Sequence, residues 1–152
     1  MRRSEMKSAK SSEQFKYFPK TADAKFQAYG KTLEEAFANA ALAMYNVMTP
    51  TAKIRPVIER KVSAKAESLE ALLYDFLVKF LVLLDGEGFV AHEVIVSKVD
   101  DTDGKYSIEA TALGDKLSPK YEAHDNVKAV TYNEMKISSG KKGWVLQVVC
   151  DI

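Results

Sequence analysis

Lys20-Thr21-Ala22-Asp23-Ala24-Lys25-Phe26-Gln27-Ala28-Tyr29-Gly30-Lys31-Thr32-Leu33-Glu34-Glu35-Ala36-Phe37 is the stretch on which the fold turns. Phe26 and Ala28 alternate with Gln27 and Tyr29, the pattern of a strand with one buried face. Gly30 punctuates. Thr32 with Glu35 three residues on is a capping box: the hydroxyl takes a free backbone N–H, and the carboxylate reaches back to the amide at the helix start. Leu33, Phe37, Ala40, Ala41, Met44 and Met48 then recur at helical spacing. The segment therefore predicts strand, turn and helix, with one acidic residue, Asp23, just ahead of the strand.

Outward from there, Thr49-Pro50-Thr51 stops the helix, because proline cannot continue its hydrogen-bond ladder. Val57 to Ala66 reads as a strand. Ser68 caps a second helix in which Leu69, Leu72, Leu73, Phe76, Leu77, Phe80, Leu81 and Leu84 keep the i, i+3, i+4, i+7 pattern. Val78, Val82 and Leu83 widen its apolar stripe, which predicts cover on more than one side, and Asp85-Gly86-Glu87-Gly88 ends it. The period then changes to two. His92 to Val99 and Lys105 to Leu113 predict a hairpin across Asp100-Asp101-Thr102-Asp103-Gly104. Gly114 to Asn126 is a polar connection. Val127 to Ile137 and Gly143 to Asp151 are two more strands. The order β-α-β-α-β-β-β-β predicts an α+β domain with two helices packed on one face of a mixed β-sheet.

The chain has 152 residues, enough for one domain with one sizeable core. Residues 1–14 read as a flexible polar tail and 15–152 as a single domain; Met1 to Ser12 is basic and Ser/Lys-rich, without the apolar run of a secretory signal. A net charge of +1 argues against direct, non-specific binding of nucleic acid, which needs an excess of Lys and Arg. No apolar run has the length to span a membrane. Cys150 is the single cysteine, so no internal disulfide can form; this fits a reducing compartment, and a cytoplasmic location is expected.

No stretch matches a phosphate-binding loop, a dinucleotide fingerprint, a zinc helix or a nucleophile elbow. His92 and His124 lack partners at ligand spacing and read as solvated or structurally bonded imidazoles. Asp100-Asp101-Thr102-Asp103-Gly104 resembles a calcium loop only superficially, since the alternating ligands and the later glutamate are missing. The acidic residues offer more. Asp23, Asp151 and the carboxylate of Ile152 together would present hard oxygen donors, suited to Ca²⁺, Mg²⁺ or Mn²⁺. On spacing alone the plainer reading comes first: Asp23 as a turn residue and Asp151 as a solvated strand end. Lys128, in Val127-Lys128-Ala129-Val130-Thr131-Tyr132, either lays its stem along the sheet with its head at an edge, or aims its ammonium at a carboxylate or phosphate near the acidic pair.

Four stretches in this order resemble the archease family: Thr21-Ala22-Asp23 followed by Gly30-Lys31-Thr32-Leu33-Glu34-Glu35-Ala36-Phe37; Leu69-Glu70-Ala71-Leu72-Leu73 leading into Phe76-Leu77; Val127 to Tyr132; and the closing Asp151-Ile152. The likeness covers residues 15–152. It implies a small α+β protein that is not itself an enzyme but a cofactor of an RtcB-type RNA ligase. That ligase joins 2′,3′-cyclic phosphate or 3′-phosphate ends to 5′-hydroxyl ends in tRNA splicing, after taking GMP from GTP. The resemblance implies that the protein stimulates this guanylylation and multiple turnover. It also implies that Asp23, Asp151 and the Ile152 carboxylate hold a divalent cation, Ca²⁺ ahead of Mg²⁺ or Mn²⁺, and that Lys128 serves partner activation. The alternative it carries is a chaperone or specificity partner of a tRNA-modifying enzyme such as a tRNA methyltransferase. Two positions depart from the family's usual histidines: Lys20 and Asn133. Lys20, three residues before Asp23, is expected to neutralise part of a cation site.

Overall fold

Thr32 starts the first helix as its sequence predicts. Its hydroxyl accepts the Glu35 N–H at 3.1 Å, and the Glu35 carboxylate accepts a main-chain N–H at 2.7 Å, from Lys31 and so one residue earlier than the capping box implies. In the computed structural model, which describes residues 13–20 and 22–152, this helix, α1, runs Leu33–Met48. Of the residues assigned to a tail, 1–14, residues 1–12 lie outside the described residues. Gln14 does not: its carbonyl accepts the Tyr29 N–H at 2.9 Å.

The other elements follow in chain order: β1 (Phe15–Phe18), β2 (Asp23–Gly30), then after α1 β3 (Ile58–Ala66), α2 (Leu69–Glu87), β4 (Phe89–Thr102), β5 (Lys105–Lys116), β6 (Ala129–Gly140) and β7 (Gly143–Asp151). The α+β class and the order β-α-β-α-β-β-β-β hold, with β1 added at the front. Helix α2 passes through Gly86 and stops one residue before Gly88, whose φ of 73° ends it in the left-handed region. The hairpin between β4 and β5 closes on two residues, Asp103 (φ 54°) and Gly104 (φ 72°), so this acidic stretch is a turn and not a calcium loop.

Where the sequence predicts one mixed sheet, the strands form two, and every pairing in them is antiparallel. The first has the order β1-β2-β7-β6 and the second β3-β5-β4. Helix α1 packs on β2 and β7 of the first sheet and on β4 of the second; α2 packs on β6 of the first and on β3, β4 and β5 of the second. The reason lies in α1. From Ala36 to Tyr45 each residue is buried, so the helix is apolar nearly all round and one sheet face cannot cover it. Phe37, Tyr45, Phe76 and Phe80 meet in the core, and the Tyr45 hydroxyl donates to the Phe80 carbonyl at 2.7 Å. In the second sheet a Cβ on Gly114 would stand 1.9 Å from the Val90 carbonyl oxygen, so only glycine fits between β5 and β4. In the first, Trp144, the chain's single tryptophan, is opposed to Gly30.

Two irregularities matter below. β4 carries bulges at Ala91/Glu93 and Val96/Lys98. β6 carries a larger one: between the pairs Thr131–Val149 and Lys136–Gln147, residues 132–135 stand against Val148 alone.

Candidate metal and partner-docking site

Asp23 opens β2 and Asp151 closes β7. Their Cα atoms are direct partners in the β2–β7 ladder. Opposed side chains of an antiparallel pair point to the same face with Cβ atoms about 5 Å apart, so the two carboxylates are neighbours. The ladder brings together residues 128 positions apart by running the hydrophobic set Phe26, Ala28, Leu146, Val148 and Cys150 down the opposite, core-facing side. The last residues are held: the Lys128 N–H donates to the Asp151 carbonyl at 2.8 Å, and the Ile152 side chain packs against the core.

Asp23 and Ile152 line one surface cleft of about 400 Å³, together with Asp125, Asn46, Lys20 and Lys25. Asp125 carries no sequence signal. It arrives there because the polar loop before β6 is pinned to the end of α1, where the His124 N–H donates to the Met48 carbonyl at 2.8 Å. Among the described residues, Asp23, Asp125 and Asp151 enter no salt bridge. Among the same residues no three His, Cys, Asp or Glu side chains converge closely enough to hold an ion by themselves. A cation held by Asp23 and Asp151 would need further oxygen donors besides these two side chains. Cys150 is no candidate: burial, with the Asp151 charge adding to it, pushes its thiol up to about 12, and it stays neutral.

Lys20 feels the charge of Asp23 but bonds elsewhere. Its ammonium donates to Glu134 Oε2 at 3.0 Å, and Lys25 donates to Glu134 Oε1 at 2.9 Å. These bonds, Lys25 first, hold the Glu134 carboxyl down at about 2. Glu134 reaches the lysines because it sits in the β6 bulge, at φ 54°, folded over β7 toward β2. The Gln147 side chain donates to the Glu134 carbonyl at 2.8 Å and accepts from Gln27 at 3.0 Å. Beneath this excursion Val149 is fully buried although it lies on the face turned away from the helices. Tyr132, at the start of the excursion, stacks on Tyr74 of α2 with ring centroids 4.4 Å apart.

Lys128 is exposed at the rim, beside the chain end, and its ammonium enters no salt bridge among the described residues. Asn133 is exposed, and its N–H donates to Thr131 Oγ1. His92 Nδ1 donates to the Thr51 carbonyl at 3.0 Å, and His124 bonds to Glu122, so both imidazoles have structural partners. A larger depression, about 640 Å³, lies where β3 ends beside the β4–β5 turn; Lys65, Glu67, Asp103 and Lys105 line it with alternating charge and no convergent donor set, so the cleft at Asp23 is the stronger candidate.

Residues 15–152 match the model of the Archease protein family (MTH1598/TM1083). The chain belongs to the archease family. The protein archease of Methanosarcina barkeri is 45% identical over 141 residues, which are 92% of this chain and 97% of that one. The protein archease of Pyrococcus furiosus is 42% identical over 91% of this chain and 99% of its own. Among solved structures, Methanobacterium thermoautotrophicum protein 1598 superposes with a TM-score of 0.78 at 38% identity, over 91% of this chain and 99% of that one. A Thermotoga maritima archease described as a possible chaperone shares the fold, with a TM-score of 0.56 over 97% of this chain and 100% of its own, at 15% identity. Among the described residues of this archease no helix is long and apolar enough to cross a membrane.

Proposed function

We propose that this archease is a non-catalytic protein cofactor that stimulates guanylylation and multiple turnover of an RtcB-type GTP-dependent RNA ligase in tRNA splicing. It acts through a divalent-cation site made by Asp23, Asp151 and the carboxylate of Ile152. One observation carries the reading: Asp23 and Asp151, far apart in sequence, are opposed on one face of a rigid ladder without a cationic partner among the described residues. Two adjacent anions repel each other until a cation lies between them. The donors are all oxygen, which fits Ca²⁺, Mg²⁺ or Mn²⁺ and not a soft metal. A bound cation supplies a positive, oxygen-seeking centre at the protein surface. The chain's own residues orient and present it: the β2–β7 ladder fixes the two carboxylates, the core contact of Ile152 fixes the chain end, and the exposed Lys128 places an ammonium at the rim.

The test is multiple-turnover ligation by the cognate ligase. The wild-type protein is expected to sustain turnover where the ligase alone stalls. Asp151→Ala and Asp23→Ala are expected to abolish the stimulation at unchanged circular dichroism, and Lys128→Ala to reduce it. Absence of stimulation by the wild-type protein refutes the role; full stimulation by Asp151→Ala refutes the site.

A second reading is a chaperone or specificity partner of a tRNA-modifying enzyme such as a methyltransferase. The chaperone description of the Thermotoga maritima relative favours it. Recovery of a methyltransferase and not a ligase with the tagged native protein decides for this reading.

A further inference from the structure

Lys20 and Lys25 line the same cleft as Asp23, yet neither ammonium bonds to it. Lys25 stands two residues after Asp23 and so on the same face of β2. Lys20 lies near enough to Asp23 for the aspartate charge to act on it. Two ammonium groups sharing a small cleft with the carboxylates of Asp23 and Asp125 would ordinarily pair with them. Here a third carboxylate intervenes. We propose that Glu134 is a positioning residue for the carboxylate site, holding the ammonium groups of Lys20 and Lys25 off Asp23 so that Asp23 and Asp151 stay open to a divalent cation. This inference rests on the cation-site reading above.

The geometry is built for that task. Glu134 belongs to β6, while its partners belong to β2 and the residues before it; β7 lies between. Neighbouring strands stand about 4.8 Å apart, so a residue two strands away in a regular sheet would have to reach about 10 Å. The bulge at residues 132–135 closes that gap. Glu134 takes a left-handed backbone that side-chain-bearing residues rarely adopt, and Gln147 holds its carbonyl there. Its two carboxylate oxygens are then shared out, Oε2 to Lys20 and Oε1 to Lys25. An exposed ion pair adds little to stability. The consequence here is local: a freed ammonium beside Asp23 competes with, and repels, a divalent cation at the same carboxylates.

The experiment is calorimetric titration of the full chain with Ca²⁺ in four forms: wild type, Glu134→Gln, Lys20→Ala/Lys25→Ala, and the triple variant. Gln is isosteric and leaves the main-chain bond to Gln147 in place. With both lysines present, Glu134→Gln is expected to weaken Ca²⁺ binding about tenfold. In the background without the lysines it is expected to change binding by less than about threefold, because only its own charge is then lost. That non-additivity is the signature of the clamp. Equal effects in the two backgrounds overturn it, since Glu134 would then act through its charge alone; unchanged binding by Glu134→Gln beside a binding wild type overturns it as well. A wild type that takes up none of Ca²⁺, Mg²⁺ and Mn²⁺ overturns the cation site itself and the inference with it.

Discussion

The two sheets treat their outer faces differently. On the second sheet, Lys61, Thr111 and Ile95 stand side by side, and Glu59, Leu113 and Glu93 form the next row. These positions alternate with buried ones in the ordinary way, and Ile95 is half exposed. On the first sheet the equivalent rows are Lys25, Val149 and Thr131, then Gln27, Gln147 and Lys136. Here Val149 and Gln147 are buried, although no helix covers them. The β6 bulge covers them instead, bringing Glu134 with it. The second sheet is a wall around the helices. The first is also a wall, but one whose outer surface is organised around the end that carries Asp23 and Asp151.

Substitutions can break this contrast. The largest effect is expected at Gly114, where an added methyl meets the backbone of β4. Gly114→Ala should cost about 3 kcal/mol in urea denaturation, because the β4 backbone at Val90 and Ala91 must move. Next comes the pair that decides between the two outer faces. Val149→Ala should lose about 2 kcal/mol, as a core position would, while Ile95→Ala should stay within about 0.5 kcal/mol. Equal losses at the two positions would show that the faces do not differ.

The third test uses acid. Glu134 is held at about 2 by Lys25 and Lys20, against an ordinary 4.5. A depressed carboxyl stabilises the fold fully above its unfolded value and loses that contribution as pH falls from about 4.5 toward 2. The melting temperature of the wild type should therefore drop more steeply across that window than that of Glu134→Gln, in which the group does not titrate. The smallest effect is expected on the second sheet: Lys61→Ala removes an exposed bond to Thr111 and an exposed ion pair with Glu59 and should leave the melting temperature where it is.

What was legible in the sequence was local. Thr32 and Glu35 lie within one helical turn, so the start of α1 can be read directly. The leucines and phenylalanines of α2 repeat without interruption, and Asp103-Gly104 is a turn that needs little context. The α+β class follows from these pieces. The division into two sheets was harder, because it depends on which strands α1 presses apart. β1 was missed: Phe15–Phe18 has four residues, and its partner, β2, is defined only once the chain has folded. At the site, spacing offers the Asp23–Asp151 juxtaposition only as a second reading and the family resemblance puts it first; in the structure it is a matter of strand register. Asp125 and Glu134 gave no signal, because a loop bond to Met48 and the side chain of Gln147 place them. The same distance effect hides the bonding partner of Lys20, which lies 114 residues away.

Trp144 gives the two-sheet plan an experimental consequence. The only indole in the chain lies in β7 against Gly30, so tryptophan emission, excited beyond the tyrosine band, originates in one sheet and not the other. Agreement between an emission melt and a far-ultraviolet dichroism melt would mean that both sheets give way together. An emission change that lags or leads would identify which half of the molecule opens first.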